Sequence, residues 1–233
     1  MTDLSLLKKE LFLLLEEKGA KLVGVGDLSG ITKNDMKTGI SVAVPLPKQI
    51  VQDLKIAPTQ EYYNAYHSLN DLLDKIVSSG ADFLNKKGYK AYANTTKAAK
   101  QNEEWITPLP HKTVATRAGL GWIGKSCLLV TKKYGSAIRL SSFITNAPLP
   151  FDSPVNQCQC GTCNICVKNC PGNALTGNLW NTNTTREELL NKEICYQTQI
   201  QRMKKSTGIE ADLCGLCFAI CPYTQRWLNK TVE

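Results

Sequence analysis

Leu4, Leu7, Leu11, Leu14 and Leu15 form one apolar stripe at helical spacing, opened by Thr2 or Asp3 and closed by Gly19. Two runs, Lys21 to Gly26 (KLVGVG) and Gly39 to Val44 (GISVAV), read as strands, the second stopped by Pro45 and Pro47. From Pro58-Thr59 a long helix is expected, with Tyr62, Tyr66, Leu69, Leu73, Ile76, Gly80 and Phe83 stepping alternately by four and three along one seam. Gly80 is a place for that helix to kink or pause, and Gly88 closes it. Tyr89 to Ala93 then reads as a strand, followed by a polar stretch from Asn94 to Glu104. His111 to Ala118 predicts a short helix, Cys127 to Thr131 an extended run, and Ala137 to Thr145 a further strand. Pro148, Pro150 and Pro154 read as a linker, and beyond it the apolar periodicity gives way to cysteines. Within the cysteine-rich part Thr184 or Thr185, with Glu187 or Glu188 three residues on, is a capping box that predicts a helix ending near Cys195.

The cysteines have a grammar of their own. Cys160, Cys163, Cys166 and Cys170-Pro171 spell C-x2-C-x2-C-x3-C-P; Cys214, Cys217 and Cys221-Pro222 repeat it without the leading cysteine, for which Cys195 is the natural stand-in. Three thiolates at that spacing wrap one face of an iron–sulfur cubane, while the fourth ligates the neighbouring cluster. The expectation is crossed wiring. Cys160, Cys163, Cys166 and Cys221 would hold one 4Fe–4S cluster, and Cys170, Cys195, Cys214 and Cys217 the other. Structural zinc also uses C-x2-C pairs, but it needs neither the third cysteine nor the proline that follows each motif. Cys127, in an apolar run, reads as a buried thiol, and Cys158 competes with Cys160 by proximity.

A second stretch, Gly119-Leu-Gly121-Trp122-Ile-Gly124-Lys125-Ser126, matches both G-x-G-x-x-G and G-x4-G-K-S. Both patterns need a strand before and a helix after, so that phosphate meets a helix N-terminus. The order here is reversed, which argues against a nucleotide.

Composition narrows the field. The formal charge is +8, but two oxidised clusters with their thiolates carry about −2 each. Only five of the 28 basic residues are arginines, and they are scattered, so no nucleic-acid stripe is demonstrated. There is no apolar span of transmembrane length, and Leu11 to Leu15 is flanked by Glu10, Glu16 and Glu17, unlike an export signal. A cytoplasmic protein without membrane contact is expected. The division expected is an α/β domain over residues 1–150 and a ferredoxin-like two-cluster domain over 151–233.

The order of these pieces resembles the epoxyqueuosine reductase family, relatives of corrinoid-dependent reductive dehalogenases. The matching stretches are SVAVPLP at 41–47, EYYNAYHSLNDLLD at 61–74, RAGLGWIGKSCLLV at 117–130, GSAIRLSSFITNAPLP at 135–150 and the two cysteine motifs. The resemblance implies a nitroreductase-like α/β core holding cobalamin base-off, reduced to Co(I) by the nearer cluster. It places Gly119, Gly121, Trp122, Gly124 and Lys125 near the corrinoid. It also implies an external electron donor of ferredoxin or flavodoxin type and a small or nucleoside-like substrate.

Two departures bear on that substrate. The family's proton-donating aspartate, in a Val-Asp-Thr-like run, would fall at Trp105, and an indole N–H only donates hydrogen bonds. Eleven residues follow Pro222, fewer than in the queuosine enzymes. The expectation is therefore a reductase whose substrate is not epoxyqueuosine in tRNA. Glu103, Glu104, Tyr66 and His67 are its candidate proton donors, with His111 behind them. A low-potential electron carrier serving a partner enzyme is the alternative.

Overall fold

The computed structural model describes residues 3–32, 35–99, 102–103 and 107–230. In chain order the elements are α1 (Leu4–Glu17), β1 (Leu22–Asp27), β2 (Thr38–Pro45), α2 (Lys48–Asp53), α3 (Gln60–Lys86), β3 (Ala91–Asn94) and α4 (His111–Arg117). There follow β4 (Trp122–Ile123), β5 (Leu129–Val130), β6 (Ile138–Thr145), α5 (Ile165–Lys168), α6 (Lys192–Thr207), α7 (Leu216–Ala219) and α8 (Pro222–Leu228). The chain divides into two units. One takes Met1–Val44, Ser68–Leu120 and Arg139–Val155; the other takes Pro45–His67, Gly121–Ile138 and Asn156–Glu233. Segments 45–67 and 121–138 thus join the cysteine-rich stretch in this division, alongside the boundary expected near residue 150.

The first unit is built on a four-stranded sheet in the order β1-β2-β6-β3. β1 pairs antiparallel with β2, Val25 opposite Ile40, and β3 pairs antiparallel with β6, Ala93 opposite Phe143. The leucine stripe behaves as its spacing demands. Asp3 caps α1 by accepting from the Ser5 and Leu6 N–H groups, and Leu7, Leu11 and Leu15 are buried against Val25, Val42, Ile76 and Phe143. Each such leucine contributes roughly 1.5–3 kcal/mol through burial. α3 runs unbroken through Gly80, where the Phe143 ring packs against the glycine; the expected kink is absent.

The two glycines of KLVGVG have a structural reason. A methyl group on Gly24 would lie 2.3 Å from the Ala118 carbonyl oxygen, and one on Gly26 would lie 2.7 Å from the Ala118 nitrogen. Bare backbone here lets the end of α4 close onto β1. The proline-rich stretch expected to be a linker is instead fastened to the same edge strand. Asp152 exchanges backbone hydrogen bonds with Val25, its N–H donating to the Val25 carbonyl at 2.8 Å and its carboxylate accepting from the Val25 N–H at 2.8 Å. Lys8 closes the arrangement, donating to that carboxylate at 2.7 Å.

In the second unit β4 and β5 form a short antiparallel hairpin, with Trp122 opposite Val130. α6 corrects the sequence reading. The Thr185–Glu188 box does form, Glu188 accepting from the Thr185 N–H at 2.7 Å, but no helix follows it directly. Leu190 bridges to Leu175 instead, and the helix starts only after Asn191, which caps it by accepting from the Ile194 N–H. Cys195 therefore stands in the first turn of a helix, not at the end of one. Among the described residues no helix is long and apolar enough to cross a membrane.

Candidate iron–sulfur centre

All ten cysteines are free thiols, and the second unit holds every one of them. Cys160, Cys163, Cys166 and Cys170 lie around the single-turn helix α5, whereas Cys214, Cys217 and Cys221 lie around α7; one turn is as much helix as these spacings permit. The electrostatics sort them into neighbours. Burial lifts the Cys166 thiol to about 11, and Cys221, Cys160 and Cys163 add to the rise. Burial lifts Cys221 as well, with Cys160 and Cys163 again among its negative neighbours. Burial lifts Cys195 to about 11, followed by Cys170 and Cys214. Cys217 is raised by burial first and then by Cys214, Cys166, Cys195 and Cys170. The first neighbourhood is thus Cys160, Cys163, Cys166 and Cys221. The second is Cys170, Cys195, Cys214 and Cys217, with Cys217 also within reach of Cys166 and Cys195 of Cys127. Among the described residues no three Cys, His, Asp or Glu side chains converge on a single metal ion.

Cys160 differs from the other thiols. It is brought down to about 6, first by a hydrogen bond from the Cys158 thiol, against the cost of burial. The Lys125 backbone N–H, the Trp122 indole and the Lys125 charge then add to the fall. Cys158 in turn is pushed far up by donating to Cys160. Cys127 is buried, as its apolar setting predicted, at a positive φ of 58° within the β4–β5 turn.

That turn is Gly124–Leu128, and it excludes the nucleotide patterns: a strand follows Gly124-Lys125-Ser126 where a helix N-terminus is needed. Lys125 is buried and donates to the Asn164 side-chain oxygen at 2.7 Å. A methyl group on Gly124 would lie 3.4 Å from the Cys160 sulfur and 2.7 Å from the Val130 side chain. Trp122 is 1% exposed, its ring edge-on to Tyr223 with centroids 4.9 Å apart. Its Nε1–H faces Cys160 yet meets no acceptor in hydrogen-bond geometry among the described residues. An orphaned buried donor, a glycine wall and a buried ammonium beside one thiolate fit a sulfur-rich anionic group. The glycines assigned by resemblance to the corrinoid have other neighbours. A methyl on Gly119 would meet the Ser153 carbonyl oxygen at 2.5 Å, and one on Gly121 the Val130 carbonyl oxygen at 2.0 Å. These glycines pack closely on backbone, and Gly124 lies beside a thiol.

The remaining candidates are dispersed. Tyr66 is half-buried and His67 exposed, their ring centroids 5.4 Å apart, and Tyr63 meets His67 edge-on at 4.5 Å. Glu103 is exposed. Glu104, and Trp105 at the place of the family's aspartate, lie outside the described residues. His111 Nδ1 is 2.8 Å from the Ser142 hydroxyl, and burial, helped by the Arg139 charge, brings its pKa down to about 4. Arg139 itself grips the Asn70 side-chain oxygen with two nitrogens, at 2.9 and 3.1 Å. The neighbour that sequence reasoning missed is Asn164, which meets Lys125 from a distant stretch, and no signal in the sequence pairs the two.

Residues 159–224 match the 4Fe-4S double cluster binding domain. The chain is 38% identical over 119 residues to an epoxyqueuosine reductase of Listeria monocytogenes, a match covering 48% of this chain and 29% of that protein. Its fold superposes on epoxyqueuosine reductase crystallised with a tRNA-Tyr epoxyqueuosine-modified stem loop. The TM-score is 0.66 at 21% identity, over 96% of this chain and 66% of that one. It also superposes on a reductive dehalogenase described as suggesting a mechanism for B12-dependent dehalogenation, with a TM-score of 0.71 at 16% identity, over 95% of this chain and 32% of that one. The chain spans less than two thirds of the length of these proteins. The resemblance read from the motifs is therefore present in sequence and in fold, and the α/β core with an appended double-cluster module is the architecture of both groups of neighbours.

Proposed function

We propose that this chain is an iron–sulfur reductase of the epoxyqueuosine reductase type, acting with cobalamin on a small or nucleoside-like substrate. The observation that carries this reading is the sorting of eight thiols into two neighbourhoods of four, inside a fold shared over nearly its whole length with reductases of that type. In this reading Cys160, Cys163, Cys166 and Cys221 hold one 4Fe–4S cluster and Cys170, Cys195, Cys214 and Cys217 the other. Bound there, the clusters supply single electrons at low potential, replenished by an external donor of ferredoxin or flavodoxin type.

The chain's own part is to bind and to insulate. Half-burial of the cysteines limits water at the sulfurs, the Trp122 indole offers a donor, and Lys125 brings a positive charge to the side of Cys160. The corrinoid rests on the fold likeness, and Gly119, Gly121, Trp122, Gly124 and Lys125 are the residues that would lie near it. The pure electron carrier is disfavoured, because a carrier has no use for the sheet unit that this chain retains.

Cobalamin titration of anaerobically purified protein tests the reading. A base-off visible spectrum with co-elution is expected. Absence of binding would leave the electron carrier in possession. In the same samples, turnover of epoxyqueuosine in tRNA under a strong reductant would identify the nucleoside as tRNA-borne; absence of turnover would point to a free nucleoside-like compound.

A further inference from the structure

Lys125 is 6% exposed, and its partner among the described residues is an amide oxygen, that of Asn164 at 2.7 Å, which neutralises no charge. A buried cation is tolerated only beside an anion. The Trp122 Nε1–H, on the same short hairpin, is a buried donor that faces the Cys160 sulfur without completing a hydrogen bond of full geometry to it. The Lys125 charge lies beside the same sulfur, which a methyl group on Gly124 would meet at 3.4 Å.

The other neighbourhood is dressed differently. Cys195 accepts from the Gln199 amide at 3.5 Å and Cys170 from the Ala174 N–H at 3.4 Å, both neutral donors. Its nearby fixed charge is negative, that of Asp212. One neighbourhood therefore has a cation at its edge and the other an anion. Cluster potentials follow local charge and hydrogen bonds to sulfur, and the reduced state, carrying one more negative charge, gains from a cation and a donor.

We propose that Trp122 and Lys125 are potential-setting residues, raising the reduction potential of the cluster held by Cys160, Cys163, Cys166 and Cys221 above that of its neighbour. Electrons shared between the two clusters then settle on the one held by Cys160, Cys163, Cys166 and Cys221. The inference rests on the two-cluster reading above. Each step is a one-electron transfer between clusters, with no bond made or broken.

The test is an anaerobic redox titration followed by electron paramagnetic resonance on the wild type, Lys125→Met and Trp122→Phe. Two one-electron steps are expected. In Lys125→Met the higher step should become about tenfold harder to reduce, a fall of about 59 mV, and the lower step should stay in place. Trp122→Phe should move the same step in the same direction by less. If neither variant moves the higher step, or the lower one moves instead, the proposal is overturned. Should a variant lose iron, wild-type protein labelled with 15N at the indole nitrogens decides. Hyperfine coupling of that nitrogen to the more easily reduced cluster is expected, and its absence overturns the proposal. A wild-type protein that carries zinc, or shows one cluster signal, would instead defeat the two-cluster reading itself.

Discussion

In the sheet unit Leu7, Leu11, Leu15, Ile76 and Phe143 are each no more than 1% exposed and gather into one apolar core with Val25, Ile40 and Val42. Between Asn156 and Arg202 in the other unit, the buried residues are Ala174, Leu175 and Leu189. That stretch is mostly turns and isolated bridges and has little hydrophobic surface to bury. The sheet unit can be held by apolar burial and by strand pairing. The cysteine-rich stretch needs another source of order, and thiolate–iron bonds are the source its side chains provide. Without metal the same thiols are costly to ionise together: half-buried and, for Cys166 and Cys195, pushed up to about 11.

The largest effect expected from this contrast follows removal of iron. Treating the protein with chelator and oxidant should strip hydrogen-exchange protection from amides across residues 156–221 by about two orders of magnitude or more, since the metal's binding energy is there the folding energy. Amides of α1 and β2 should keep theirs. Equal loss in both units would mean that the sheet unit also depends on the clusters. A converse and smaller effect is expected of Leu11→Ala. It should cost about 2–5 kcal/mol in denaturant melts through the cavity it leaves, with the iron content per folded chain unchanged. Loss of iron at full folding would show the two units to be coupled.

The same contrast explains what could be seen in the sequence. The leucine stripe of α1 and the seam of α3 were legible because long helices repeat their apolar positions, and the cysteine motifs were legible because cluster geometry dictates their spacing. α2, α5, α7 and α8 are four to seven residues long, too short for a period to show. The Thr185–Glu188 box was read correctly as chemistry and wrongly as a helix start, because Leu190 takes a bridge to Leu175 that only the folded chain supplies. The Gly119–Ser126 stretch looks like a nucleotide loop locally. Its packing emerges only when Asn164 and Cys160 are brought to Lys125 and Gly124.

Cys170→Ser tests the central claim most directly. Cys170 belongs to the first motif by sequence, yet its neighbours are Cys195 and Cys217 of the second group. Anaerobically purified wild type should carry close to eight irons, as two cubanes require. The variant should keep the spectrum of the Cys160, Cys163, Cys166 and Cys221 cluster and lose or convert the other, with iron falling by up to half. Damage confined to the cluster of Cys160, Cys163 and Cys166, or zinc in place of iron, would contradict the crossed assignment.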